Sequence, residues 1–129
     1  MATPSITYFE DLAVGQEASQ TNTVSESDIV AFADISGDRN PVHLDEDYAA
    51  STIFKGRIAH GIQSAAYISA VFGMKLPGPG AIYISQTLNF KGPIRIGDVV
   101  TTTVKLVELY PDKKRARFDT VCTVAGTPV

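Results

Sequence analysis

An acidic and a basic side chain lie close together in one short segment of the sequence. Asp38 and His43 are five residues apart, and Gly37 and Pro41 restrict the backbone around them. Such a pair can hold one water molecule: the carboxylate accepts a proton, and the imidazole orients the water or handles a second proton. The alternative is structural, with Asp38 closing a turn and His43 at the surface before a helix. Residue types alone leave both interpretations open.

A second group of candidate residues lies where an apolar segment begins. Gly61 follows His60, and the first N–H groups of a helix lack internal partners and attract partial negative charge. Because glycine has no side chain, a carbonyl oxygen could approach the Gly61 N–H closely. Ser69 is expected on roughly the same helix face, where it could contact a ligand. The alternatives are a glycine kept small for packing, a packed or hydrogen-bonded His60, and a serine bonded to its own helix.

The remaining polar candidates are scattered. Lys91 and Arg95 flank a Gly-Pro pair, and either these or a second basic set could contact phosphate groups. For the second set a solvated turn is the simpler expectation; it comprises Lys113, Lys114, Arg115 and Arg117. Cys122 has no activating neighbour and is expected to be a structural thiol. The sequence contains no G-x-S-x-G elbow, P-loop or dinucleotide-binding motif.

The first third of the chain predicts a strand and then a helix. Residues 16–24 are rich in Ser and Thr and predict an exposed strand. Ser25 and Asp28 have the spacing of a capping box, which indicates a helix start. Gly37 is the expected end of that helix, because glycine tolerates the left-handed conformation.

The next segment has to hold the acid and the histidine in place. Residues 38–43 are not expected to be helical, because Pro41 keeps the residue before it away from helical geometry. Asp45 then resembles the N-cap of a second short helix. The main helix is predicted over Ile58–Met74 and, since it is apolar on nearly every side, it is expected to be buried.

From residue 81 the sequence is rich in strand-forming residues. Three strands are predicted, over Ile82–Phe90, Val99–Leu109 and Arg115–Val124. A buried helix followed by an antiparallel sheet is an α+β fold. The length of 129 residues fits one domain over 1–129.

The amino-acid composition and two segments of the sequence exclude several classes of protein. The net charge of −3 argues against nucleic-acid binding. One cysteine excludes an internal disulfide and favours a reducing compartment, and two histidines leave too few ligands for a structural zinc site. Residues 1–5 lack the layout of a signal peptide, and residues 58–74 are too short and polar for a membrane span. These features together predict a cytoplasmic protein.

Three blocks of the sequence resemble the MaoC-like hydratases. Residues 32–49, which contain Ser-Gly-Asp-Arg-Asn-Pro-Val-His, resemble the hydratase 2 signature of that family. Residues 54–61, Phe-Lys-Gly-Arg-Ile-Ala-His-Gly, look like its second block, and residues 82–99 are similar to its strand region. The resemblance starts near Phe9 and is closest to the short, single-domain (R)-specific enoyl-CoA hydratases that feed polyhydroxyalkanoate synthesis in bacteria.

The resemblance implies a fold and an assembly. The expected fold is a hotdog, in which an antiparallel sheet wraps a long buried central helix, and two copies form a homodimer. Members of the family usually continue beyond the position of Val129 and complete a final strand, which is expected to be missing or curtailed here.

The resemblance also implies an activity, the addition of water to a trans-2-enoyl-CoA to give an (R)-3-hydroxyacyl-CoA. Asp38 and His43 would bind the water, and Gly61 would donate its N–H to the thioester carbonyl. Asn40, which would hold the loop, Ser69 and Lys91 are expected at substrate-binding positions. No metal or redox cofactor is required, and the CoA belongs to the substrate; an acyl-carrier-protein thioester is a possible replacement.

Three points stay open at this level. The division of proton transfers between Asp38 and His43 is not fixed by residue type. A hotdog acyl-CoA thioesterase is the first alternative activity, although such enzymes use an acid without this Asp-x-x-x-x-His loop. The second alternative is a non-catalytic acyl-thioester-binding module, against which the intact Asp38 and His43 speak.

Overall fold

Four strands and four helices make up the protein in a computed structural model that describes residues 5–129. The expectation that residues 1–4 begin no signal peptide lies outside the described residues. A 3₁₀ turn over Phe9–Asp11 precedes the first strand. The strands are β1 (Glu17–Thr23), β2 (Val99–Tyr110), β3 (Arg115–Val124) and β4 (Thr127–Pro128). The helices are α1 (Glu26–Ser36), α2 (Pro41–Leu44), α3 (Glu46–Ala50) and α4 (Gln63–Met74).

Helix α1 begins and ends at the predicted residues. The Ser25 hydroxyl accepts the Asp28 N–H at 3.1 Å, and the Asp28 carboxylate accepts the Ser25 N–H at 3.0 Å. Gly37 ends the helix with φ of 79°, a conformation that costs glycine little. The capping box and the glycine stop are therefore confirmed.

The segment after α1 is more helical than the sequence predicted. Residues 38–40 are irregular, as expected, but Pro41 begins the single turn α2, so the expectation for residues 41–43 is wrong. Proline is well suited to the first position of a helix, where its missing N–H would have no partner anyway. The Asp45 side chain accepts the Tyr48 N–H at 3.1 Å and caps α3, which confirms that prediction.

Helix α4 is shorter than predicted. It begins at Gln63 rather than Ile58 and has 12 residues, because the chain before it bonds to distant backbone. The Ile58 N–H donates to the Val42 carbonyl and the Ala59 N–H to the Ile94 carbonyl. An apolar pattern does not distinguish a buried extended segment from a buried helix. In this single chain α4 is buried on one side only, and Met74 is largely exposed.

The antiparallel sheet has the order β1-β2-β3-β4. Strand β2 is central, with Val104 opposite Ala18 of β1 and opposite Thr120 of β3. Alternate residues of β2 are buried, and helix α4 packs on that face with Ile68 and Val71 in the core. The predicted strands at 16–24, Val99–Leu109 and Arg115–Val124 are confirmed, and so is the α+β class.

The predicted strand over Ile82–Phe90 does not form in this chain. Within residues 5–129 this stretch has no ladder partner, although the Gln86 amide donates to the Thr120 hydroxyl and the Lys91 N–H to the Val129 carbonyl. A strand needs a neighbouring strand to bond with, and β-propensity alone does not supply one. The stretch has no regular secondary structure and is mostly exposed, with 85% of Ile82 accessible.

Across residues 5–129, none of the helices combines the length and apolar character needed to cross a bilayer.

Candidate active site

The loop that carries Asp38 is shaped by short-range hydrogen bonds. The Asp38 N–H donates to the Ser36 hydroxyl at 3.1 Å, and its carboxylate accepts the Asn40 N–H at 3.2 Å. The Asn40 side chain accepts the Val42 N–H at 3.1 Å and caps α2. Asn40 thus connects the acid to the helix that carries His43. Its expected contact with substrate stays a prediction.

His43 is buried, in contrast to the surface position that the structural alternative required. The residue is 8% exposed, and Nδ1 lies 2.8 Å from the Ile58 carbonyl oxygen. A carbonyl can only accept a hydrogen bond, so Nδ1 carries the proton. In the neutral ring, Nε2 therefore keeps a free lone pair. That nitrogen can accept a hydrogen bond or a proton.

The structure brings three functional groups together. One carboxylate oxygen of Asp38 and one ring nitrogen each of His43 and His60 lie within 4.8 Å of one another. A single water molecule could contact both the acid and the first histidine at these separations. The two residues singled out by sequence spacing are therefore neighbours in space as well.

His60 is packed and hydrogen-bonded, as expected from the sequence. Its side chain is 1% exposed, and Nε2 donates to the Asp38 carbonyl at 2.9 Å. Its ring stacks on His43 with centroids 3.8 Å apart and lies 4.9 Å from the ring of Phe32. The other nitrogen, Nδ1, is buried without a hydrogen-bond partner among the described residues.

Two histidines and a carboxylate are also the ligand set of many metal sites. Here each ring already donates one N–H to a backbone carbonyl, at Ile58 and at Asp38. The free lone pairs of His43 and His60 lie in ring planes that are stacked, with 28° between them. The nitrogen without a proton in each ring can accept a hydrogen bond.

Arg57 is a site residue that the sequence analysis missed. Its Nε donates to the His43 carbonyl at 2.7 Å, and a terminal nitrogen bonds to the Glu26 carboxylate at 2.5 Å. The side chain is only 11% exposed. Arg57 stands within the block at 54–61 that was compared with the hydratases, and a charged residue among apolar neighbours was the available signal.

Gly61 lies in the turn just before α4 rather than within the helix. Among residues 5–129, its N–H donates to no carbonyl or side chain, so this donor is available to a ligand. A Cβ at this position would be 3.1 Å from the Phe90 ring, which explains why a small residue is needed. The packing alternative and the donor role are thus compatible.

The two other predicted substrate contacts are not brought to the cluster. Ser69 is exposed on α4 and does not line the groove between residues 87–91 and β3 or the groove between α1 and α4. Lys91 is exposed at the edge of a groove of about 160 Å³ between residues 87–91 and β3. A wider groove of about 310 Å³ lies between α1 and α4. Neither groove is lined by Asp38 or His43, so the roles of Ser69 and Lys91 in substrate binding stay predictions.

The other candidate groups have structural surroundings. Burial raises the pKa of the Cys122 thiol above its usual range, although a hydrogen bond with Thr102 opposes the shift, in line with a structural thiol. In the second basic set, Lys114 pairs with Glu10, and Arg117 pairs with Glu108. An Arg95 terminal nitrogen donates to the Phe54 carbonyl.

Comparison with known proteins assigns the chain to a family. The family model described as "MaoC like domain" matches residues 11–129. The chain belongs to the MaoC-like family. It is similar to an "(R)-specific enoyl-CoA hydratase" of Rhodospirillum rubrum, with 60% identity over 95% of this chain and 85% of that protein. It is also similar to a "3-hydroxybutyryl-CoA dehydratase" of Methylorubrum extorquens, with 56% identity over 96% of this chain and 79% of that protein.

A solved structure confirms the fold expected of the MaoC-like family. The R-hydratase PhaJ1 of Pseudomonas aeruginosa, in its unliganded form, superposes with a TM-score of 0.91. The two sequences are 47% identical, and the match covers 96% of this chain and 80% of that protein. The fold is therefore the hotdog that the resemblance implied, with a shorter central helix than predicted.

Proposed function

We propose that this chain is an (R)-specific enoyl-CoA hydratase, a hydro-lyase that adds water to a trans-2-enoyl-CoA and gives an (R)-3-hydroxyacyl-CoA. The observation that carries the proposal is the proximity of the Asp38 carboxylate to the ring nitrogens of His43 and His60, within 4.8 Å. The 60% identity to a protein named for this activity supports it. An acyl-carrier-protein thioester would present the same enoyl group.

The hydrogen bonding of the pair suits it to orient one water. An ionised Asp38 carboxylate only accepts hydrogen bonds, and the free Nε2 of neutral His43 does the same. A water that donates one hydrogen to each therefore presents its oxygen lone pairs outwards. C3 of the enoyl thioester lies in that direction in a productive complex.

The reaction then needs one base and one stabiliser of negative charge. Asp38 takes a proton from the water as its oxygen bonds to C3, and charge develops on the thioester oxygen. The free N–H of Gly61 donates to that oxygen; one such donor contributes about 3 kcal/mol. The proton that Asp38 has taken passes to the free Nε2 of His43 and from there to C2, so both residues return to their starting states. The atoms of one water are thereby divided between C3 and C2.

Turnover of crotonyl-CoA tests the assignment. Loss of the enoyl absorbance without release of free thiol identifies hydration, whereas free thiol would indicate the thioesterase alternative. Binding without turnover would indicate a non-catalytic module. Chiral separation should give the (R) product, and a predominance of the (S) product would contradict the proposed stereochemistry.

Substitutions in the pair test its role directly. Asp38→Asn and His43→Ala should each lower kcat by about 10²–10⁴-fold, the range typical of a positioned base. The double variant should be little worse than either single variant, since residues that act in one step are strongly non-additive. Asp34→Asn is the matched control, because this exposed carboxylate near the end of α1 pairs with Arg39 instead. Multiplicative losses would assign the two residues to separate steps.

We also propose that two copies form a homodimer. Several large apolar side chains at the end of α4 and in residues 82–90 are exposed in the single chain, among them Met74, Ile82, Ile84 and Phe90. The two grooves described above are not lined by Asp38 or His43, and we expect a second copy to complete the wall of the acyl site beside this pair. An obligate interface of this kind buries about 2,000 Å² or more.

Light scattering at micromolar concentration should report twice the chain mass. Ile82→Asp should shift the protein towards monomer, whereas Ile53→Asp should not, although Ile53 is equally exposed, because it lies in the loop after α3. A monomeric wild-type protein with full activity would refute the homodimer.

A further inference from the structure

A buried histidine with no part in the proposed proton transfers contacts both catalytic residues. His60 Nε2 donates to the Asp38 carbonyl at 2.9 Å, and its ring stacks on His43 at 3.8 Å. We propose that His60 is a positioning residue that fixes the Asp38 backbone and the plane of the His43 ring. This inference rests on the proposed function, because the positions it fixes are those of the catalytic pair.

The bond to the Asp38 carbonyl attaches a loop that is otherwise held only by its own neighbours. The other hydrogen bonds of Asp38 are with Ser36 and Asn40, each two residues away. His60 is 22 residues from Asp38, and its bond is the long-range one among the described contacts. Short-range bonds give the loop its shape, while His60 sets where that shape lies relative to His43.

The stacked ring restrains a motion that the other bond of His43 leaves free. The bond from His43 Nδ1 to the Ile58 carbonyl holds one ring atom, but the ring can still rotate about that N–H···O axis. The face of His60 prevents this rotation, and Phe32 packs against His60 from another side at 4.9 Å. The direction of His43 Nε2 is thereby fixed.

Among the described residues, His60 brings one buried nitrogen without a hydrogen-bond partner as well as the hydrogen bond to Asp38. His60 Nδ1 is buried without a partner in the described part of the chain, and a buried unsatisfied polar atom destabilises the fold. A phenyl ring would fill the same space without that cost. What histidine adds over phenylalanine is the Nε2–H that bonds to Asp38.

Three substitutions separate the two contacts. His60→Phe keeps a ring face and removes the donor, His60→Gln keeps an N–H donor at similar reach and removes the ring, and His60→Ala removes both. We expect His60→Ala to lower kcat by about 10²-fold, the loss that a displacement of about 1 Å can cause. The Phe and Gln variants should each lose less, and KM for crotonyl-CoA should change by no more than about threefold in all of them.

Val104→Ala is the matched control for a general loss of stability. Val104 is fully buried in β2, so this change lowers Tm without touching either catalytic residue. It should leave kcat unchanged at a temperature well below Tm. If kcat falls in all four variants in proportion to Tm, or if His60→Ala keeps wild-type kcat, the proposal is overturned. It is also overturned if His60→Gln is no better than His60→Ala.

A measurement without turnover separates this proposal from the proposed function. The chain has two histidines, so a variant at position 60 without an affinity tag leaves His43 as the one imidazole in the NMR spectrum. His60→Ala should broaden or split the His43 ring signals, and His60→Phe should keep them sharp. Sharp single signals in His60→Ala would refute positioning, whether or not the protein hydrates crotonyl-CoA. Inactive wild type with the expected spectra would refute only the proposed function.

Discussion

Replacing Arg57 with methionine removes the side chain that holds the backbone of His43. Arg57 makes two polar contacts of different character: Nε donates to the buried His43 carbonyl, and a terminal nitrogen pairs with Glu26. Arg57 is 11% exposed, whereas the Glu26 side chain is 57% exposed. Methionine retains most of the packing volume, so the loss reports mainly on the polar contacts.

The burial of each partner decides which of the two contacts contributes more to the free energy of unfolding. A hydrogen bond from a charged group to a buried acceptor contributes about 1.5–3 kcal/mol. An ion pair with an exposed carboxylate contributes about 0–1 kcal/mol because water screens it. Arg57→Met should therefore lower the free energy of unfolding by about 2–3 kcal/mol, and Glu26→Gln by less than about 1 kcal/mol. In a domain of this size 1 kcal/mol corresponds to about 4 °C, so Tm should fall by about 8–12 °C and less than about 4 °C respectively.

Thermal unfolding followed by circular dichroism measures the stability of both variants, and crotonyl-CoA turnover measures their kcat. Arg57→Met should also lower kcat by about tenfold, because small displacements of a catalytic side chain are costly. Glu26→Gln should leave kcat near the wild-type value. Equal losses of Tm in the two variants would mean that the ion pair, rather than the bond to the His43 carbonyl, dominates, and would refute this reasoning.

Three further predictions concern local features of the fold. Ser25→Ala removes the cap of α1 and should cost about 1 kcal/mol in chemical denaturation, with kcat retained, whereas Ser27→Ala should cost less because Ser27 does not cap the backbone. Gly37→Ala forces a side chain into a φ of 79° and should cost about 1–2 kcal/mol by the same measurement; an unchanged midpoint would contradict strain at this turn. Burial raises the pKa of Cys122 above 9.0, so the unfolded chain releases its proton first, and stability should fall as pH rises above 9.0. Cys122→Ala should show a smaller fall between pH 9 and 10 in denaturant titrations, and an identical pH profile would contradict this cause.

Local chemistry made part of the fold predictable. The ends of α1 follow from Ser25, Asp28 and Gly37, which act on residues within a few positions, and the alternation in β2 and β3 follows from one buried face. The start of α4 was misplaced because the bonds of Ile58 and Ala59 go to Val42 and Ile94, which the local pattern does not encode. The stretch over Ile82–Phe90 failed for a related reason, since a strand depends on a partner.

The residues of the candidate site were likewise predictable only in part. Asp38 and His43 were found because they lie on one loop with recognisable spacing, and the family resemblance pointed to the same pair. Arg57 and the contacts of His60 were missed because they act through backbone carbonyls of residues far away in sequence. Residue type predicts which side chains can do chemistry, but the carbonyl that a donor will reach depends on the folded path of the chain.

The acceptors that select the imidazole tautomers are main-chain atoms, at Ile58 and Asp38. Every amino acid carries the same carbonyl, so a substitution at position 58 leaves the acceptor for His43 in place. A different side chain at position 58 is therefore compatible with the same tautomer of His43, provided that the backbone path is kept. A library of variants at this position should be limited by packing rather than by chemistry, which makes residue 58 a suitable place to diversify when the neighbourhood of the site is engineered.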